Sequence, residues 1–311
     1  MSERIPPAVR ARLVVKGLTP PYLWALLKGT KDRLRGAPRP EPEEQLPPPE
    51  PAPPPEPPEW EYVPEGFARP AGGWDVEAVA RAYREKWPGF LAAVEGPGPL
   101  GVNHEVPAGE PVPRDDLTAQ QAILSFGYAV ALTVAARGGG GVSMLDWGGG
   151  PGHYAVFARA LVPGLELEYH SKDVPTLAAL GRELLPDETF HSDDACLDRR
   201  YDLVLASASL QYSEDWAETL ARLAGAAERY LYVTRLPVAV RVESFVVMQR
   251  AHRYGYDTEY LGWVVNREQL IERARAAGLE LVREVLLPAW LSAEGAPEAP
   301  TDHRGFLFAR R

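Results

Sequence analysis

The sequence predicts an α/β protein built on a mostly parallel sheet with helices on both faces. Three observations predict it. Short β-branched runs alternate with helix-periodic segments from Val142 to Thr234. A glycine-rich turn, MLDWGGGPGHY (Met144 to Tyr154), sits where the first of those runs hands over to a helix. The chain has 311 residues and 45% apolar content, enough for a full core. Strands alternating with helices need crossover connections, which make the strands parallel and cover both faces of the sheet.

The chain divides by composition. Residues 1–36 are a basic N-terminal segment with eight Lys and Arg against Glu3 and Asp32, around an apolar stretch Pro21 to Leu27. Such a segment can lie on an anionic membrane surface or dock a partner, although packing or disorder is the plainer reading. Residues 37–59 are a Pro/Glu-rich linker. Proline removes donors and fixes φ while the glutamates repel, so this stretch is expected to be an extended, solvated, disordered spacer.

Residues 60–137 form a helical cap region in this reading. Val76 to Trp87 places Val76, Val79, Ala80, Tyr83 and Trp87 on one face, with Pro88 and Gly89 as stop signals. Leu117 to Arg137 is a longer, more apolar helix ending in the tract Gly138 to Gly141. Residues 138–311 carry the alternating pattern. Strands are expected at Val142 to Asp146, Leu165 to Ser171, Tyr201 to Ala206 and Tyr230 to Thr234. Helices are expected at Tyr154 to Leu161, Thr176 to Leu185 and Ala217 to Ala227. A helix at Arg267 to Ala277 and strands at Leu279 to Leu287 and Gly305 to Arg310 complete the pattern, the last as an antiparallel edge strand.

Composition narrows the function. No apolar run reaches the roughly 18 to 20 residues of a membrane span, and charges come too early for a signal-peptide core, so a cytoplasmic location is expected. The single cysteine, Cys196, has no Cys or His partner at zinc-ligand spacing, and no metal is expected. A net charge of −10 repels a phosphate backbone and disfavours nucleic-acid partners.

The glycines stand at the carboxyl end of the first strand of the alternating pattern, where open parallel sheets bind ligands. Glycine lets the backbone turn sharply and approach a ligand closely. A dinucleotide fingerprint would need a third glycine where His153 stands. Instead Asp146 is followed by Gly148, Gly150 and Gly152 at every second position, with Gly149 between.

In this pattern, from about Val142 to the C-terminus, the sequence resembles the class I S-adenosylmethionine-dependent methyltransferases. The resemblance implies a Rossmann-like, doubly wound sheet of seven strands with an N-terminal helical lid, and S-adenosylmethionine (SAM) as cofactor. It assigns Asp146 and the glycines to the cofactor loop and Asp173, in HSKDVP, to the ribose hydroxyls. A carboxylate is acceptor-only and suits two hydroxyls at once. Asp193 and Asp194, in FHSDDA, are the candidates for the adenine side, with neither preferred. Ser207 and the stretch to Tyr212 match the motif where the fourth strand meets both cofactor and acceptor. The phrases EYVPEGF, PLGVNHE, YLYVTRLPV and GWVVNREQL, spanning Trp60 to Arg311, resemble a little-characterised bacterial methyltransferase branch sometimes found with surface-polysaccharide genes.

Methyl transfer is an in-line displacement, so positioning and water exclusion carry most of it. An oxygen nucleophile also benefits from a base. His104 and Tyr212 are the catalytic candidates, beside Glu105 and His153, while Gln211, Tyr212 and Arg235 are expected to line the acceptor pocket. Trp147 and Tyr154 are expected to pack against helices. The Asn/Asp-Pro-Pro-Tyr/Phe box of amino-methylating enzymes is absent after Ala206, as is a Pro-Cys nucleophile. The expectation is therefore an enzyme methylating a small-molecule or glycan acceptor at oxygen. The alternatives are a non-catalytic SAM-binding or partner-docking module and an NAD-dependent oxidoreductase.

Overall fold

The computed structural model describes residues 57–107 and 109–311, which belong to one compact unit. The expectations for residues 1–36 and for nearly all of the Pro/Glu spacer lie outside the described residues. At the spacer's expected end, Glu59 contacts the Arg253 guanidinium at 3.2 Å.

A short strand, β1 (Trp60–Tyr62), precedes two helices, α1 (Glu77–Val94) and α2 (Leu117–Arg137). The expected stop at Pro88 is overridden, because α1 runs through it to Val94. A mid-helix proline costs about 3 kcal/mol. Phe90 and Val94 lie beyond it and are buried, and each returns about 1.5–3 kcal/mol.

Helix α2 begins at Asp116, whose carboxylate accepts from the Ala119 N–H at 2.9 Å, and ends at Gly138 in the left-handed conformation (φ 71°). Contrary to the expectation from its sequence, α2 is long and apolar enough to cross a membrane, with mean hydropathy 1.3 in its best window. Its Ile123, Phe126 and Val130 explain that apolarity, since they recur at one helical face and are buried in the core.

The alternating region folds as β2 (Val142–Trp147), α3 (His153–Leu161), β3 (Leu167–Lys172), α4 (Pro175–Leu184), β4 (Thr189–His191), β5 (Tyr201–Ser207), α5 (Trp216–Ala226) and β6 (Ala227–Ala239). The strands pair in parallel in the order β4-β3-β2-β5-β6. Every residue of β5 is buried, as a central strand covered on both faces requires. The period-2 alternation splits the core. Leu145, Val204 and Ala206 pack with α5 on one side, whereas Met144, Leu203 and Leu205 pack with Phe126 and Phe157 on the other.

Strands β7 (Phe245–Arg250) and β8 (Glu259–Asn266) follow, then α6 (Arg267–Ala276), β9 (Leu279–Leu291) and β10 (Thr301–Arg310). The sheet is thus the expected α/β, Rossmann-like, doubly wound and mostly parallel one, although it has ten strands where seven were expected and one strand is placed differently. β10 is antiparallel but is not the edge, because it pairs with β6 on one side and β9 on the other. Phe306 and Phe308 on β10 bury into one face and Leu307 into the other, a two-sided burial that fits an interior strand.

Besides the three-residue β4, two features have no counterpart among the strands expected from the sequence. β1, β7 and β8 form an antiparallel ribbon, joined to the main sheet where Val238 and Ala239 pair with Val265 and Asn266. β6 is also longer than expected and carries a bulge. Thr234 and Arg235 stand opposite the single residue Gly305 of β10, and Arg235 has φ 54°. A Cβ on Gly305 would lie 2.7 Å from the Tyr232 hydroxyl, so glycine is required opposite the bulge.

Candidate active site

The turn from β2 to α3 shapes one wall of a cavity of about 380 Å³ at the carboxyl ends of the parallel strands. Gly148, Gly149 and Gly150 all line it, and each is glycine for a local reason. Gly148 (φ 73°) presses on Ser209, whose hydroxyl donates to the Trp147 carbonyl at 2.6 Å. A Cβ at Gly149 would lie 2.5 Å from the Asp146 carboxyl. Gly150 (φ 55°) is different: a Cβ there would meet nothing within 4 Å. Gly152 (φ 100°) does not line the cavity, and a side chain there would strike Leu185 at 2.7 Å.

Beneath the loop, Asp146 is fully buried and does not line the cavity. Its Oδ2 accepts from the Tyr169 hydroxyl at 2.7 Å, while Oδ1 has no protein partner. Burial raises this carboxyl to about 7, the Tyr169 hydrogen bond opposing and nearby Asp173 adding to the rise. Asp146 therefore packs against Gly149 at the base of the turn instead of facing the cavity.

Asp173 follows the last residue of β3 and does line the cavity. Its Oδ2 accepts from the Gly150 N–H at 2.7 Å and its Oδ1 from the Val174 N–H at 2.7 Å. Burial raises its pKa against the pull of these two N–H groups. An ionised carboxylate has about four acceptor positions, so roughly two remain after those bonds.

The structure separates the pair left open by the sequence. Asp194 lines the cavity and contacts Lys172 at 3.1 Å and Arg222 at 2.6 Å. Burial raises its pKa, but the two cations prevail and hold it below the ordinary value. Asp193 is turned away and caps the helical turn Asp194–Asp198, accepting from the Ala195 N–H at 3.0 Å. Lys172, absent from the sequence reading, lies 5.0 Å from the centre of the Trp147 ring. Its signal was its place beside Asp173 at a strand end.

Ser207, at the end of β5, lines the cavity and shares a 2.7 Å hydrogen bond with the Tyr154 hydroxyl. The expected catalytic pair, His104 and Tyr212, also reaches the wall. The His104 ring stacks on His153 at 3.9 Å, and Phe90 meets the His153 ring edge-on at 4.6 Å. Burial, aided by Arg235 and Lys86, pushes the His104 imidazole down to about 3, and burial holds His153 well below its ordinary value. Both are neutral at pH 7.

A second cavity, of about 430 Å³, abuts the first. Glu105, Ala208, Tyr212 and Arg235 line both. The bulge aims Arg235 into this partition, where it pairs with Glu105. The Tyr212 hydroxyl donates to Gln249 Oε1 at 3.1 Å. Gln211, expected to line the acceptor pocket, lines the second cavity and not the first. Among the described residues, Glu105 is the one carboxylate common to both walls. No group of three or more His, Cys, Asp or Glu that could hold a metal occurs among the described residues.

No family model and no curated protein matches the chain. Among solved structures, a magnesium protoporphyrin IX methyltransferase from Synechocystis with bound SAM is similar at a TM-score of 0.43 and 13% identity, over 75% of this chain and 95% of that one. A 1,6-didemethyltoxoflavin-N1-methyltransferase from Burkholderia thailandensis, with its substrate and S-adenosylhomocysteine (SAH), has a TM-score of 0.40 and 17% identity over 66% of this chain and 93% of that one. An amino pentose methyltransferase from Micromonospora echinaspora, bound to SAM, has a TM-score of 0.38 and 15% identity over 61% of this chain and 92% of that one.

Proposed function

We propose that this chain is a SAM-dependent methyltransferase acting on a small-molecule or glycan acceptor, at oxygen. The observation that carries the reading is the Asp173 carboxylate, held against the Gly150 N–H in the wall of the cavity. A carboxylate with spare acceptor positions one strand away from a close-approach backbone suits the two hydroxyls of a ribose. Gly150, whose missing Cβ faces open space, leaves room for a ligand against the backbone. Asp194, Lys172 and Trp147 offer a charged and aromatic end to the same cavity, suited to an adenine ring. The dinucleotide alternative is disfavoured because His153, where its third glycine would stand, is wedged between His104 and Phe90.

Bound there, SAM would supply a sulfonium methyl, an electrophile needing no further activation. The chain's own contribution is to orient an acceptor hydroxyl at the partition, exclude water and take its proton. Glu105 is best placed for the last task, being shared by both cavities. His104, held near 3, is a poor proton acceptor, and with His153 it forms a flat wall. Tyr212, its hydroxyl proton held by burial and its donor bond committed to Gln249, positions rather than titrates.

Calorimetry with SAM and SAH tests the reading directly. Heat with both is expected, and no heat with either overturns it.

A further inference from the structure

Resting on the methyltransferase reading of the first cavity, we infer that the second cavity is the acceptor site and takes an uncharged, hydroxylated ring: a sugar unit bearing no phosphate, carboxylate or amine where it is methylated. Charge supports this first. The ionised groups on its wall are already matched, Arg253 with Glu59 and Arg235 with Glu105. The remaining titratable wall group besides the tyrosines, His303, sits with Nδ1 3.3 Å from the Ala289 carbonyl, and burial pushes it down to about 4, so it is neutral at pH 7. An anionic acceptor would find no free cation among the described lining residues, and an amine no free carboxylate. Either would be desolvated without compensation.

The wall is rich in tyrosine, and tyrosine faces can also hold a cationic amine. Here three of the four tyrosine rings already have a partner over a face. The Arg253 guanidinium covers Tyr254 at 4.6 Å, Lys86 stands 5.3 Å from the Tyr256 centroid, and Tyr260 stacks on Trp74 at 4.2 Å. Trp290 is different. It lines the cavity yet is 67% exposed, leaving a broad apolar ring for a flat partner at the mouth. Gln211 also lines this cavity, is only 5% exposed, and its Oε1 has no protein partner. A buried carbonyl oxygen in a ligand cavity is matched by a donor on the ligand, and a hydroxyl provides one. An apolar platform and a buried acceptor on a wall of balanced charge together describe a neutral sugar ring.

The test uses the full chain with SAM carrying a labelled methyl group. The panel contains methyl and 4-nitrophenyl glycosides of common hexoses, 6-deoxyhexoses and pentoses, and their phosphate, uronate and amino counterparts. Octyl glycosides of the same sugars distinguish a lipid-borne acceptor from a free one. Neutral members should bind and be methylated, with charged counterparts at least about tenfold poorer. Trp290→Ala, a surface change, and Gln211→Ala should each raise the acceptor KM about tenfold, as expected for one lost contact, while SAH affinity is unchanged. Preference for a charged counterpart, an unmoved KM in both variants, or SAH binding with no neutral glycoside bound overturns the inference. Failure of SAH itself to bind overturns the reading beneath it instead.

Discussion

The Asp173 carboxylate and the Gly150 amide, 23 residues apart in sequence, are joined by a 2.7 Å hydrogen bond across the gap between β3 and the β2–α3 turn. The bond ties together two parts of the cavity wall, the end of β3 and the β2–α3 turn. Asp173→Ala should weaken SAM and SAH binding by about 1–3 kcal/mol, the cost of leaving hydroxyls without their charged acceptor. Calorimetry on the variant checks it, and affinity within twofold of the parent would count against the assignment.

Gly149 and Gly150 should respond differently to alanine. At Gly149 the new methyl would meet Asp146 at 2.5 Å and Ser171 at 2.6 Å, an overpacking that costs about 1–3 kcal/mol and lowers Tm. At Gly150 the methyl enters open space, so the fold loses only the roughly 1–2 kcal/mol of a left-handed alanine, while the ligand loses its approach. Thermal melts paired with SAH titrations separate the two. Gly149→Ala should show the larger fall in Tm, and Gly150→Ala the larger loss of binding for its change in Tm.

Asp146 gives the chain a pH-dependent weakness. Its folded pKa, about 7, lies above the ordinary 3.8, so between those values the folded state holds a proton that the unfolded state has released. Stability from this group is full below about pH 4 and falls as pH rises toward 7. About three pKa units correspond to roughly 4 kcal/mol. Asp146→Asn keeps an acceptor for Tyr169 and should flatten the Tm profile over pH 4–7 relative to the parent. Parallel profiles for the two proteins would refute the assignment.

Glu105→Gln should retain SAH binding and lose acceptor turnover by about 10²–10⁴-fold, the usual worth of a positioned base. The measurement is kcat at saturating SAM. His104→Gln should cost less, because a neutral imidazole of such low basicity contributes shape rather than proton transfer.

Much of this architecture was legible in the sequence, for identifiable reasons. β2, β3, β5 and β6 announce themselves as short strand-forming runs set between helices with a 3.6-residue period, whereas three-residue β4, of which only Phe190 is buried, carries no such run. The place of Asp173 at a strand end on the cavity wall was legible through the family resemblance, which matched it 21 positions beyond Gly152. The ribbon of β7 and β8 was missed although FVVMQ and YLGWVV are β-branched and aromatic; they lie outside the alternating pattern that guided the reading. The second cavity was illegible for another reason. Glu59, Gln211, Tyr254 and Trp290 come from distant segments and meet only through the fold. Nor does the sequence reveal the bulge at Arg235, since it arises from register against Gly305 rather than from any local preference.

The interior position of β10 has a consequence for biosynthesis. A nascent polypeptide halted before Thr301 would leave β6 and β9 each presenting an unsatisfied row of amides and carbonyls, the kind of open template that recruits neighbouring chains. Until those residues leave the ribosome, the growing protein is an aggregation hazard, and a nonsense change in that stretch would act as a folding defect however far it lies from the cofactor loop.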